Sequence, residues 1–174
     1  MCIRDSFNPK YTHIMILGAG GAAKSIVTQA VLDGAKKVSI YVRPQSLVKA
    51  KENFRTLLDQ TDCYLEFHDL TDADHFQKEL RQTDLLVNAT SVGMDGESLP
   101  ISIDTRFPKE LLVADIIYQP FETPFLALAR KQEIEAVNGL GMLLYQAAGA
   151  FKLWTGENMP TGAIWQELEN IYNS

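Results

Sequence analysis

Six small residues in a row, Gly18-Ala19-Gly20-Gly21-Ala22-Ala23, limit what this chain can fold into more than any other stretch. They follow an apolar run at 12–17 that reads as a buried strand. They open an amphipathic stretch at 21–33, in which Ala22, Ile26 and Ala30 recur every fourth residue. The pattern is G-x-G-x-x-A on a predicted strand–turn–helix, and each small side chain has a physical reason. Gly18 permits a tight turn off the strand, Gly20 lets the backbone approach an anion, and Ala23 lets the helix pack close on the strand. The free N–H groups and the positive end of the helix dipole would then face a pyrophosphate. A glycine-rich connector with no ligand is the competing reading, and the strand–turn–helix context weighs against it.

The rest of the chain repeats the alternation. Strands are predicted at 37–42, 63–67, 84–88, 111–116 and 133–137. Helices are predicted at 46–59, 72–81, 124–132, 142–153 and 161–172, with Ser46 as an N-cap and Pro124 in a first turn. Gly34 serves as the stop signal after the first helix. Residues 84–88 are apolar in the middle, as a strand covered on both faces should be. Short loops between alternating strands and helices imply a parallel sheet with helices on both faces. Right-handed crossovers make this an α/β, Rossmann-like doubly wound domain.

Composition narrows the function classes. The chain has 174 residues, enough for one domain with its own core. A net charge of −6 argues against general nucleic-acid binding, which needs a basic footprint. No apolar run approaches the roughly 20 residues of a membrane span, so no membrane partner is expected. Cys2 and Cys63 are far apart, and His13, His68 and His75 lack ligand spacing. A disulfide scaffold and a metal site are therefore not expected, and a reducing, cytoplasmic location is. Residues 1–10 are expected to be a leader, disordered or foreign to the domain, which runs over 11–174.

Nucleotide preference turns on the end of the second strand, Tyr41-Val42-Arg43-Pro44-Gln45-Ser46. NAD binders place Asp or Glu about there to hold the ribose hydroxyls. Arg43 stands there instead, and a guanidinium suits a 2′-phosphate through paired hydrogen bonds. The cofactor expected is NADP, with NAD left open. A solvated arginine at a strand end is the plain alternative.

Three further segments come in fixed order after the glycine turn: Asn88-Ala89-Thr90-Ser91-Val92-Gly93-Met94, then Asp115-Ile116-Ile117-Tyr118-Gln119-Pro120, then Asn138-Gly139-Leu140-Gly141-Met142 running on through Gln146 to Trp154-Thr155-Gly156. Together they resemble the cofactor-binding, C-terminal half of the shikimate dehydrogenase family, over about residues 11–169, with the quinate/shikimate sub-group nearest in its spacing. The resemblance implies reversible reduction of 3-dehydroshikimate to shikimate by a nicotinamide cofactor, on the pathway to aromatic amino acids. It implies that Gly18, Ala19, Gly20, Gly21 and Ala22 hold the pyrophosphate, and that 42–45, with Arg43 and Gln45, contact the adenosine ribose. It implies that Ser91 passes near the nicotinamide, that Ile116 and Gly139 flank it, and that Tyr118 and Gln146 reach the substrate: shikimate, 3-dehydroshikimate or quinate. Plainer readings stand beside these. Asn88 and Thr90 suit a loop cap, Tyr118 a half-buried ring, Gln146 a helix surface, Met142, Leu143 and Leu144 core, and Trp154 and Trp165 packing anchors.

The chain departs from the family in two ways. Val42 stands where the family usually has Asn, and Gln45 where the quinate/shikimate sub-group has an acid that supports NAD. The family's catalytic Lys and Asp and its carboxylate-binding serines belong to a domain before this one, so no catalytic residue is expected among these 174. The chain is expected to bind cofactor without catalysing alone, and to leave an exposed face near Gln146 and the last helices that makes the domain weakly stable or self-associating, as in a homodimer. A stand-alone nucleotide-binding or regulatory module is the alternative from another class.

Overall fold

The structure, a computed structural model, describes residues 7–173. Six strands form one sheet, β1 His13–Leu17, β2 Lys37–Val42, β3 Tyr64–Asp69, β4 Leu85–Asn88, β5 Leu112–Asp115 and β6 Ala136–Val137. Their order is β3-β2-β1-β4-β5-β6 and all pairs are parallel. This is the doubly wound order, in which the direction of winding reverses between β1 and β4.

The helices are α1 Gly21–Leu32, α2 Leu47–Asn53, α3 Arg55–Leu58, α4 Ala73–Leu80, α5 Pro124–Lys131, α6 Leu140–Thr155 and α7 Thr161–Asn173. Successive strand residues point to opposite faces, and the core divides accordingly. Ile14, Ile16, Val38, Ile40, Leu85 and Val87 pack with Ala23, Val27 and Ala30 of α1 and with Ala50 and Phe54. Met15, Leu17, Tyr41, Leu86 and Val113 pack with Phe76 and Leu80 of α4 and with Phe125, Leu126 and Ala129 of α5. Helices therefore cover both faces, as expected of continuous apolar strands. Each fully buried Leu, Ile or Phe contributes about 1.5–3 kcal/mol by leaving water.

Several predicted boundaries shift for identifiable reasons. The helix expected over 46–59 is a 3-10 turn at Pro44–Ser46 followed by α2 and α3. It breaks at Phe54, which leaves helical geometry (φ −103°, ψ 4°) and is fully buried against Phe67, ring centroids 5.7 Å apart. Ser46 makes no side-chain cap bond. Helix α5 does have one, since the Thr123 hydroxyl accepts from Leu126 N–H. The sixth strand is only two residues long, because Glu133 is still turning with a left-handed φ of 61°.

Of the expected leader 1–10, residues 1–6 lie outside the described residues. Residues 7–10 join the domain: Phe7 packs on the core of β1 and β2, and the Pro9 carbonyl accepts from Thr12 N–H. Leu143 and Trp154, expected inside, are 39% and 84% exposed. Leu153 on α6 and Ile171 on α7 are exposed as well. Among the described residues no helix is long and apolar enough to cross a membrane, and no group of three His, Cys, Asp or Glu is arranged to hold a metal.

Candidate functional site

The carboxyl ends of β1, β2 and β4 come together at the point where winding reverses. The Gly18 N–H donates to Tyr41 O at 2.8 Å, and Ala89 N–H donates to Leu17 O at 3.0 Å, so the three strand ends are bonded to one another. Over them lies a cleft of about 780 Å³. Gly18, Ala19 and Gly20 form its floor, Tyr41, Val42, Arg43, Ser46, Lys49 and Asn53 one wall, and Thr90, Ser91 and Val92 the other. The volume is that of a small-molecule site.

The glycines have different jobs. Gly18 turns with φ +99°, and a Cβ there would stand 2.8 Å from Thr90 Cγ2 and 3.2 Å from Ala89 O. It is glycine because the next loop packs against it. Gly20 has an ordinary φ of −78° and a Cβ there would meet nothing within 4 Å. The protein itself does not require a glycine at 20, so the open space above it is where a ligand backbone contact fits. Gly20 is also the N-cap of α1 and makes no side-chain cap bond, which leaves the first turn's N–H groups to an anion. Gly21 and Ala22 are exposed in that first turn. The residues present thus fit a pyrophosphate.

Arg43 is exposed on the rim, directly after β2. Lys49, in the first turn of α2, lines the same wall, and among the described residues no carboxylate lines the cleft. The turn at Pro44–Ser46 brings α2 back over the strand end. Gln45, expected as a contact, is exposed on that turn and does not line the cleft; Ser46, Lys49 and Asn53 do. Lys49 was out of reach of sequence reasoning because nothing in the composition of 44–50 says that the helix starts by doubling back.

A second constellation sits at the ends of β4 and β5. Asn88, Asp115 and Thr123 are all buried. The Asn88 amide donates to Asp115 Oδ1 and to Val92 O, each at 3.1 Å. Its carbonyl accepts from Thr90 N–H at 3.1 Å and Thr90 Oγ1 at 2.7 Å. Asp115 also accepts from Ile117 N–H at 3.0 Å and from Thr123 Oγ1 at 2.8 Å. Burial pushes the Asp115 carboxyl above its ordinary pKa, and these three donors oppose the shift.

Ile116 follows, half-buried, and Gly139 is buried beside it. A Cβ on Gly139 would fall 2.0 Å from Ile116 O, and Gly139 N–H donates to Ile117 O at 2.9 Å. Glycine at 139 is therefore demanded by backbone approach alone. Tyr118 and Gln146 are exposed and do not line the cleft. The structure thus brings Gly18, Ala19, Gly20, Arg43 and Ser91 together, and joins Ile116 to Gly139 separately.

Comparisons with known proteins give the chain's relatives. The sequence profile described as the Shikimate 5′-dehydrogenase C-terminal domain matches residues 139–169. The shikimate dehydrogenase (NADP(+)) of Streptococcus thermophilus is 99% identical over 169 residues, which is 97% of this chain and 59% of that protein. That of Streptococcus pneumoniae is 53% identical over 167 residues, 96% of this chain and 59% of that protein. Among solved structures, the shikimate 5-dehydrogenase of Listeria monocytogenes in complex with shikimate and NAD matches with a TM-score of 0.86 at 36% identity, covering 96% of this chain and 59% of that one. The chain spans 59% of the length of the curated relatives it matches. With its doubly wound sheet and its glycine turn, the chain is similar over nearly its whole length to the C-terminal part of shikimate dehydrogenases.

Proposed function

We propose that residues 11–174 form the NADP(H)-binding domain of a shikimate dehydrogenase. The whole protein would interconvert 3-dehydroshikimate and shikimate, with quinate as a further candidate substrate. The observation that carries the reading is the open cleft over Gly18 and Gly20 with Arg43 and Lys49 on one wall. Gly20 leaves room for the pyrophosphate, and the first turn of α1, with Gly21 and Ala22, offers it N–H donors. Arg43 and Lys49 together offer a fork and a point charge to a 2′-phosphate. An NAD ribose would find no carboxylate on that wall. Ser91, on the facing wall, would border the path towards the nicotinamide, and Ile116 with Gly139 would flank the ring. When bound, the nicotinamide supplies or accepts the hydride.

Tyr118 and Gln146 stand exposed where a substrate held by a neighbouring domain could reach them. The proton donor for the carbonyl oxygen is proposed to come from the portion of the relatives' length that this chain does not cover. The exposed apolar side chains of α6 and α7 give self-association a surface. The test of the reading is a pair of titrations of the chain with NADPH and with NADH. Tighter binding of NADPH, with the preference erased in Arg43→Ala, supports it. Equal affinities would remove the 2′-phosphate assignment, and binding of neither would overturn the cofactor site.

A further inference from the structure

Asp115 is a buried carboxylate that no described cation pairs with, a costly arrangement unless the site needs its two acceptor oxygens. All of its partners are donors at the carboxyl edge of the sheet. Oδ1 takes the Asn88 amide and Ile117 N–H, and Oδ2 takes the Thr123 hydroxyl. Each partner belongs to a different segment of the chain. Asn88 shapes the loop at 89–92 through Thr90 and Val92. Ile117 fixes the chain that leaves β5 beside Gly139. Thr123 caps α5 through Leu126 N–H. One side chain therefore ties the loop after β4, the chain leaving β5 and the start of α5 together, beyond the Ile116 N–H to Asn88 O bond that already joins the two strand ends.

We propose that Asp115 is a positioning residue for the nicotinamide half of the cofactor, fixing the Ser91 loop against the Ile116–Gly139 wall. This rests on the cofactor reading above. The carboxylate suits the task better than an amide, because both of its oxygens must accept. In Asp115→Asn, one end of the amide would face the Thr123 hydroxyl with a donor, and that hydroxyl would have to turn round. In Asp115→Ala, three buried donors lose their acceptor. The adenosine end is anchored chiefly on β2, through Gly18 N–H to Tyr41 O and Arg43 directly after the strand, and so depends less on Asp115.

The test compares two ligands on the full chain: NADPH, which fills both halves of the site, and 2′,5′-ADP, which fills only the adenosine half. Asp115→Ala should bind NADPH about tenfold more weakly and 2′,5′-ADP within about twofold of the parent. Asp115→Asn should fall between parent and alanine variant. The ratio of the two affinities is read in whichever variant folds. An unchanged ratio, from no loss or from equal loss of both ligands, overturns the proposal.

Amide hydrogen exchange without ligand separates this claim from the cofactor reading. Thr90 and Val92 N–H should exchange faster in the variant, while Gly18 N–H keeps its protection. If the parent chain binds neither ligand, the cofactor reading fails and the exchange result alone decides. Unchanged exchange at Thr90 and Val92 would then refute the positioning role.

Discussion

Gly20→Ala separates binding from folding. Residue 20 has φ −78°, which any residue adopts, and its new methyl would meet no protein atom within 4 Å. Stability should change by no more than about 0.5 kcal/mol, as for an unstrained surface substitution. For a domain of this size that is a shift in Tm of at most about 2 °C. Affinity is another matter, because the methyl occupies the space through which a pyrophosphate reaches the α1 amides. One hydrogen bond to a charged group is worth about 1.5–3 kcal/mol, so NADPH affinity should fall by about one to two orders of magnitude. Scanning calorimetry gives the first quantity and fluorescence titration the second. Unchanged affinity in a folded variant would mean that the ligand does not pass over Gly20. A large drop in Tm would mean that the glycine serves the protein rather than the ligand.

Gly139→Ala should do the reverse. Its Cβ collides with a carbonyl oxygen and the Gly139–Ile117 bond is strained, so urea unfolding should report a loss of about 2–4 kcal/mol. Lys49→Ala should weaken NADPH but leave NADH within about twofold, because only the 2′-phosphate needs the second cation; equal weakening of both would refute that role. His13 and His68 are held below the ordinary histidine range, by burial first and for His68 also by the neighbouring His75. A depressed histidine pKa means that the unfolded chain takes up protons first as pH falls. Stability should therefore be full above about pH 6.5 and decline below it. Urea midpoints at pH 7.5 and 5.5 measure the decline, and His68→Gln should reduce it.

The glycine turn was legible because its meaning is local. Small residues between an apolar strand and an amphipathic helix leave few alternatives, and β1, α1 and β2 lie where periodicity puts them. Gly34 ends its helix with φ +89°, as a stop signal should. Arg43 was legible by its offset from that turn. What escaped the sequence is non-local. Lys49 joins the cleft because the chain turns through Pro44–Ser46 before α2 begins. Gln45, one turn away, is carried off the cleft by the same geometry. Asp115 reads in sequence as the polar end of a strand, and its partners come from positions 27 residues before it and 8 after it. Gly139 looks like one more ligand-facing glycine, whereas its contact with Ile116 O explains it without a ligand.

The central claim is that the dinucleotide lies across the carboxyl edge of the sheet at the β1–β4 reversal. Nitrogen-15 chemical-shift mapping of the chain titrated with NADPH tests it most directly. Saturable shifts are expected at Gly18, Gly20, Gly21, Ala22, Arg43, Lys49 and Ser91, with smaller ones at Ile116 and Gly139. Shifts confined to α6 and α7, or no saturable shifts at the glycine turn, would contradict it.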